Sequence, residues 1–512
     1  MVRHRGTVAR WYGLMLAALM SASVMTETQG AEPTIPEADI ATEVLPPPVA
    51  SRPVAKRDRS SLTQEELIDR LFAAEDRVQW LEEIESARKS RDTDVFKNIS
   101  HLNFAAEEKK AEEKKKAEAP KEKKWYDKLS LRGYTQVRLE DVVERDELGA
   151  PAQSVTDAAI GDNQNFLIRR ARIILSGDVH EHVYVYFQPD FATNVPGSVD
   201  ANQFCQIRDL YADLYVCPDK VHRFRVGQSK VPYGFENLQS SSNRLPLERN
   251  EAFNSEVRNE RDLGVFYYYT PEETQRLFKY IMDNDLKGSG NYGLFGIGFY
   301  NGQGGSFREQ NDNMHIASRL ALPYQFENGQ IIETGVQGVL GQYTVLGSPI
   351  DPPGAPPLGT PTGTSTTGGA GGWADERVGW TFVMYPQPFG FQAEWTVGRG
   401  PTLNAAQTAI EEHSLSGGYA MVMYKHDTDC HGTFIPFTRW SNFNGGYKSE
   451  RNAPNTNISE MEIGNEWQIN KYAELTVSYL FTDRTNTTAR TAGLSYGQFE
   501  GQVIRCQMQF NY

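Results

Sequence analysis

The chain has 512 residues, a formal net charge of −14 and a mean hydropathy of −0.54. Beyond Met25 no stretch stays apolar for the roughly 18 residues that a membrane helix requires, which excludes a helical membrane protein. It leaves a membrane barrel open, because only alternate residues of a barrel strand face lipid, and so acidic a chain gives no footprint for nucleic acid.

Arg3, His4, Arg5 and Arg10 precede an apolar run from Trp11 to Met25, and small and polar residues end it near Thr28 to Ala31. Residues 1–31 therefore read as a secretory signal peptide, outside the fold. Residues 32–60 are rich in proline and small residues and read as a spacer. Residues 61–124 read as a helical extension and charged linker. Thr63 and Glu66 form a capping-box pattern, and Leu67, Leu71, Ala74, Val78 and Leu81 follow at steps of four and three. That short seam fits an oligomerising coiled coil, or an amphipathic helix lying on another surface. The mixed-charge run AAEEKKAEEKKKAEAPKEKK reads as a solvated helix or linker.

From Trp125 to Tyr512 the pattern changes to period-two segments separated by turn residues, sixteen in number. They begin with LSLRGYTQVRL, FLIRRARIILSGDV and HVYVYFQPDFA and end with YAELTVSYLF and QVIRCQMQFNY. The last alternates Ile504, Cys506, Met508, Phe510 and Tyr512 on one face with Arg505, Gln507, Gln509 and Asn511 on the other. Long connections (Glu140 to Asn165, Val231 to Glu260, Val345 to Ala374) alternate with tight ones such as Asp178 to Glu181 and Pro386 to Pro388. Pro271 to Asn291 is an insertion on the short-turn side. Long loops on one rim and short turns on the other are the habit of outer-membrane barrels. An even strand count brings both ends of the barrel to the same side, the periplasm, and lets the last strand seal on the first.

Other chemistry is sparse. Cys205 and Cys217 bracket one strand, and 12 residues at about 3.3 Å each hold them far apart, so the four cysteines give no disulfide framework and leave room for at most one cross-strand pair. His426, Asp427, Asp429, Cys430 and His431 share one turn, a spacing more typical of a polar turn than of a metal site. No nucleophile elbow, phosphate-cradling glycine loop or HExxH motif is present, so neither catalysis nor a cofactor is expected.

FLIRRARI (Phe166 to Ile173), FRVGQSKVPYGFENLQSS (Phe224 to Ser241), RDLGV (Arg261 to Val265), GFYNGQG (Gly298 to Gly304), GGYKSERNAP and EIGNEWQINKYAELTVSY resemble, in kind and order, segments of the phosphate-selective porin O/P family. The resemblance covers Trp125 to Tyr512. It implies a sixteen-stranded, trimeric anion channel without a cofactor, narrowed by the third long loop, Val231 to Glu260. It also implies arginines lining the pore. With oily residues turned to lipid, alternation directs Arg132, Arg138, Arg170, Arg172, Arg223, Arg225, Arg319, Arg377, Arg439 and Arg505 to the lumen, and leaves Arg169 on the lipid side near a rim. Each lumen arginine can contact anions or pair with a barrel carboxylate, since Asp209, Asp213, Glu394, Glu462 and Glu466 turn inward by the same rule. The third loop carries Lys230, Arg244, Arg249 and Arg258 beside Glu236, Glu248, Glu251, Glu256 and Glu260.

The expectation is therefore an all-β, sixteen-stranded antiparallel transmembrane barrel over residues 125–512 with a periplasmic helical extension. It sits in outer-membrane lipid as a homotrimer and passes small hydrophilic, anionic solutes. The extension offers an oligomer contact or a contact with the cell wall. The alternative is a structural anchor that ties the barrel to periplasmic or cell-wall layers.

Overall fold

A computed structural model of the chain describes residues 63–65, 68–89, 124–145, 160, 165–192, 205–351, 356–368, 371–486 and 497–512. The residues read as signal peptide and spacer, Glu66, Leu67 and most of the charged run lie outside the described residues. Two units are distinguished, residues 1–119 and 120–512.

In the first unit, α1 covers residues 68–89. Its described side chains are exposed, including Leu71, Val78 and Leu81 of the apolar seam.

The second unit is a closed antiparallel barrel. Its strands are β1 (Ser130–Arg145), β2 (Asn165–His180), β3 (Val183–Asp190), β4 (Gln206–Tyr215), β5 (His222–Lys230), β6 (Arg261–Tyr269), β7 (Phe295–Tyr300) and β8 (His315–Gln325). They continue as β9 (Ile331–Tyr343), β10 (Trp373–Met384), β11 (Phe389–Leu403), β12 (Ile410–Tyr424), β13 (Thr433–Gly446), β14 (Asn455–Asn470), β15 (Ala473–Asn486) and β16 (Gly497–Asn511). The two-residue strand His426–Asp427 pairs beside the start of β13. All sixteen segments expected from the alternation form strands. Several run further toward the long-loop rim than the apolar pattern alone indicates, as β11 does through Arg399 and Thr402.

Closure is made by β16 on β1, with Tyr134 opposite Asn511 and Val142 opposite Val503. The Gly133 N–H donates to the Tyr512 carbonyl and the Tyr512 N–H to that of Gly133. Among the described strands no edge is left for lipid to satisfy.

The two faces of the wall are inverted relative to a soluble protein. Leu131, Val378, Val397 and Ile463 are exposed on the outside, while Gln136, Arg138, Arg377, Glu394 and Glu462 are buried within. Apolar-out, polar-in burial of this kind is stable only with hydrocarbon as the outer solvent. Cys205, Cys217, Cys430 and Cys506 are unpaired.

The fifth connection turns inward. It carries α2 (Phe235–Leu238) and α3 (Glu251–Asn254), and nearly all its side chains from Val231 to Glu256 are buried. Gly234, at φ +79°, reverses the chain into α2. Phe253 and Ala252 pack with Tyr233 of the same segment and with Val339, Leu415 and Phe443 of the wall. The insertion between β6 and β7 forms α4 (Glu272–Asp283), whose Phe278 and Ile281 pack with Phe235, Ile331, Val383 and Tyr385.

Candidate functional site

The segment from Val231 to Glu260 is fastened to the wall around much of the lumen. On β11, Glu394 accepts the backbone N–H groups of Phe235 (2.5 Å) and Glu236 (2.9 Å), the unsatisfied donors at the start of α2. On β10, Arg377 Nε lies 2.7 Å from Glu256 Oε2. On β13, Arg439 reaches Glu236 at 2.8 Å and Glu462 of β14 at 3.1 Å. On β15, Arg484 reaches Glu251 at 3.0 Å. On β1 and β2, Arg138 and Arg170 converge on Glu248 at 2.8 and 3.2 Å.

Arg169 also points inward, 3.0 Å from Glu248, which corrects the lipid-side expectation. The register shifts at Gln136/Val137, where Arg170 faces Gln136 and Ile168 faces Val137. This bulge gives β2 one extra residue, so adjacent arginines both enter the lumen.

The other predicted arginines are mostly paired within the wall. Arg172 Nε is 2.7 Å from Asp190. Arg225 makes a two-pronged contact with Asp213 at 2.7 and 2.9 Å, and Arg223 lies 3.6 Å from the same carboxylate. Arg319 is 2.6 Å from Glu333, and Arg505 is 3.6 Å from Glu140. Arg249 meets Glu260 at 2.7 Å, while Arg244 donates to the Pro246 and Leu247 carbonyls. Arg258 lies in a 3-10 turn, and its side chain is outside the described atoms.

Two of the predicted cations differ. Arg132 is exposed and donates to Ser176 Oγ at 3.2 Å. Lys230 Nζ donates only to the carbonyls of Leu238 (2.8 Å) and Gln239 (2.7 Å). Neither has a carboxylate within 4.0 Å among the described residues. Both line a cavity of about 270 Å³ between the inserted segment, the β1–β6 wall and the β6–β7 insertion. Its charged lining consists of Arg132, Arg172, Arg225, Lys230 and Arg261 against Asp209 alone. Arg261 was not among the predicted set, although its RDLGV motif was in view. Its guanidinium bonds Asp209 at 2.9 Å and Glu260 at 2.7 Å. The tyrosines of the lining, Tyr186, Tyr211 and Tyr292, carried no sequence signal beyond period-two placement.

Two of the inserted acids, Glu248 and Glu260, are held ionised. Burial alone would raise the Glu248 carboxyl, but Arg169, Arg170, Arg138 and Arg244 outweigh it and hold it well below its ordinary range. Burial acts the same way on Glu260, and Arg249, Arg261 and Arg208 bring it far down.

Among the described residues, Glu256, His315 and Asp375 form one buried group with metal-ligand chemistry. The Lys448 ammonium contacts both of its carboxylates and Arg377 joins them, so the chain's own cations already fill it.

The sequence profile described as phosphate-selective porin O and P matches residues 151–512. Among solved structures, OmpT, an outer membrane protein of Vibrio cholerae, is 8% identical with a TM-score of 0.45, covering 75% of this chain and 97% of that one. The outer membrane channel DcaP of Acinetobacter baumannii is 10% identical, TM-score 0.44, with 75% and 97% covered. An anion-selective porin from Comamonas acidovorans is 10% identical, TM-score 0.44, with 75% and 99% covered. No curated protein sequence matches the chain.

Proposed function

The chain belongs to the phosphate-selective porin O and P family, and on that premise we propose that its barrel passes small hydrophilic anions by diffusion, past a lumen narrowed by residues 231–260. The observation that carries the anion preference is the cavity whose lining holds five cationic side chains and one carboxylate, in a chain of net charge −14.

The ion pairs divide the labour. Arg138, Arg170, Arg377 and Arg439 spend their charge on the acids of the inserted segment, so they hold the constriction in place. Arg132 keeps its charge in hand for a passing anion, and Lys230 places an N–H donor beside it. A unit charge at 4 Å contributes about 1 kcal/mol in water and more beside a low-dielectric wall, enough to bias entry without trapping the ion. The guanidiniums of Arg172, Arg225 and Arg261 add fixed donors along the same wall.

Export by way of residues 1–31, periplasmic placement of both ends and a trimeric state complete the reading. The exposed seam of α1 supports an oligomer contact or a cell-wall contact for the extension. Reconstitution of the purified protein into planar lipid bilayers tests the channel itself. Stepwise conductance increments are expected, and a protein that inserts without opening any conductance would leave the anchoring role in its place.

A further inference from the structure

We propose that the cavity beside residues 231–260 favours anions that carry a flat conjugated ring, namely aromatic carboxylates, over compact oxyanions such as phosphate. This rests on the anion-channel reading above and assigns its solute class.

The argument begins with what donors alone leave unexplained. Compact oxyanions need only N–H and O–H groups, which Arg132, Arg172 and Lys230 supply. The same cavity is also lined by a continuous row of stacked rings, edges toward the lumen. Tyr186 on β3 stands directly opposite Tyr211 on β4, and their rings stack with centroids 5.0 Å apart and planes within 7°. The Arg225 guanidinium continues the row at 3.8 Å from the Tyr211 centroid, and Arg132 extends it at 5.9 Å from Tyr186. Tyr292 of the β6–β7 insertion lines the cavity too, 5.5 Å from Arg225.

The row therefore runs cation, ring, ring, cation along one wall. The Tyr211 and Tyr292 hydroxyls have no protein hydrogen-bond partner among the described residues, unlike Tyr134, whose hydroxyl is held by Ser241. A flat ring can pack edge-to-face against the lumen-side edges of the stacked tyrosines while its carboxylate meets Lys230, Arg132 or the free phenols. The Arg225–Asp213 pair fixes that guanidinium over Tyr211, so the aromatic wall is set before a solute arrives.

The test is current block in planar bilayers at neutral pH, with benzoate, cyclohexanecarboxylate or inorganic phosphate added to a chloride-conducting channel. Benzoate and cyclohexanecarboxylate share charge and approximate size and differ in the π system. Benzoate is expected to half-block at a concentration about fivefold below cyclohexanecarboxylate, the scale of one aromatic contact. Tyr211→Leu and Tyr186→Leu are each expected to bring that ratio under about twofold, and Tyr211→Phe, which keeps the ring, to retain most of it. Equal block by the two carboxylates, or tighter block by phosphate, in an anion-selective channel would overturn the proposal and leave the anion reading standing. A cation-selective zero-current potential would overturn the anion reading, and the aromatic assignment with it.

Discussion

Arg377 Nε lies 2.7 Å from Glu256 Oε2, and both side chains are sealed from solvent. One belongs to the barrel wall and the other to the inserted segment, residues 231–260, so the contact fastens that segment to the wall. Lys448 joins the same carboxylate at 3.1 Å. Such a pair is costly to bury and costlier to break, because removing one partner leaves the other charge without its counterpart.

Glu256→Ala is accordingly expected to destabilise the detergent-solubilised barrel by about 3 to 5 kcal/mol and to raise single-channel conductance as the segment loosens. The double variant Glu256→Met with Arg377→Met removes both charges and leaves Lys448 with Asp375. It should recover more than half of the lost stability. Thermal unfolding and conductance recordings check both, and an unchanged conductance for Glu256→Ala would show that the segment is held without this contact.

Gly234 sets the entry into α2 at φ +79°, and a Cβ there would come within 2.8 Å of Phe253 Cδ1. Gly329, in the β8–β9 turn at φ +87°, has nothing within 4 Å of the same position. Gly329→Ala should cost only the backbone term, about 1 to 2 kcal/mol. Gly234→Ala should cost clearly more by thermal unfolding, and equal losses would contradict the packing described at Phe253.

The acid stability of the constriction follows from Glu248 and Glu260. Both have folded-state values below the ordinary 4.5, held there against burial by surrounding arginines. Their contribution is fully present above the unfolded value and is lost only as pH falls through the folded one. The share of the protease resistance of residues 231–260 that Glu248 and Glu260 carry should therefore persist from neutral pH to below 4.5. A transition above 4.5 that Glu248→Gln or Glu260→Gln abolishes would mean that these carboxylates are not held as described.

Lys230 and Arg132 are expected to set ion preference. Lys230→Glu and Arg132→Glu should each lower the chloride-to-potassium permeability ratio by at least about threefold, the scale of a unit charge reversed at a few ångströms. Arg399→Glu, at a pair with Glu376 that is half exposed on the rim, should leave the ratio nearly unchanged. Equal effects at all three positions would assign selectivity to overall charge instead of the cavity.

The barrel was legible because its signal is local. Period-two alternation over each segment decides which side chains meet lipid, and Arg138, Arg377 and Arg505 turn inward as parity requires. Parity failed where the backbone broke it, at the β2 bulge that turns Arg169 and Arg170 to the same side. The choice between anion contact and structural pairing was not legible, because it depends on partners remote in the chain. Arg439 meets Glu236 from 203 residues away, and only the folded path of the fifth connection brings them together. The acids seen in that connection proved to be the partners of the wall arginines, which leaves Lys230 and Arg132 distinct from the rest. The tyrosine row was equally hidden, since Tyr186 and Tyr211 become neighbours only through the β3–β4 register.

The zero-current potential of the purified protein in a planar bilayer, under a tenfold potassium chloride gradient, tests the central claim most directly. The account predicts a potential of the sign that chloride carries, moving toward zero in Lys230→Glu. A potential of the sign that potassium carries would contradict it.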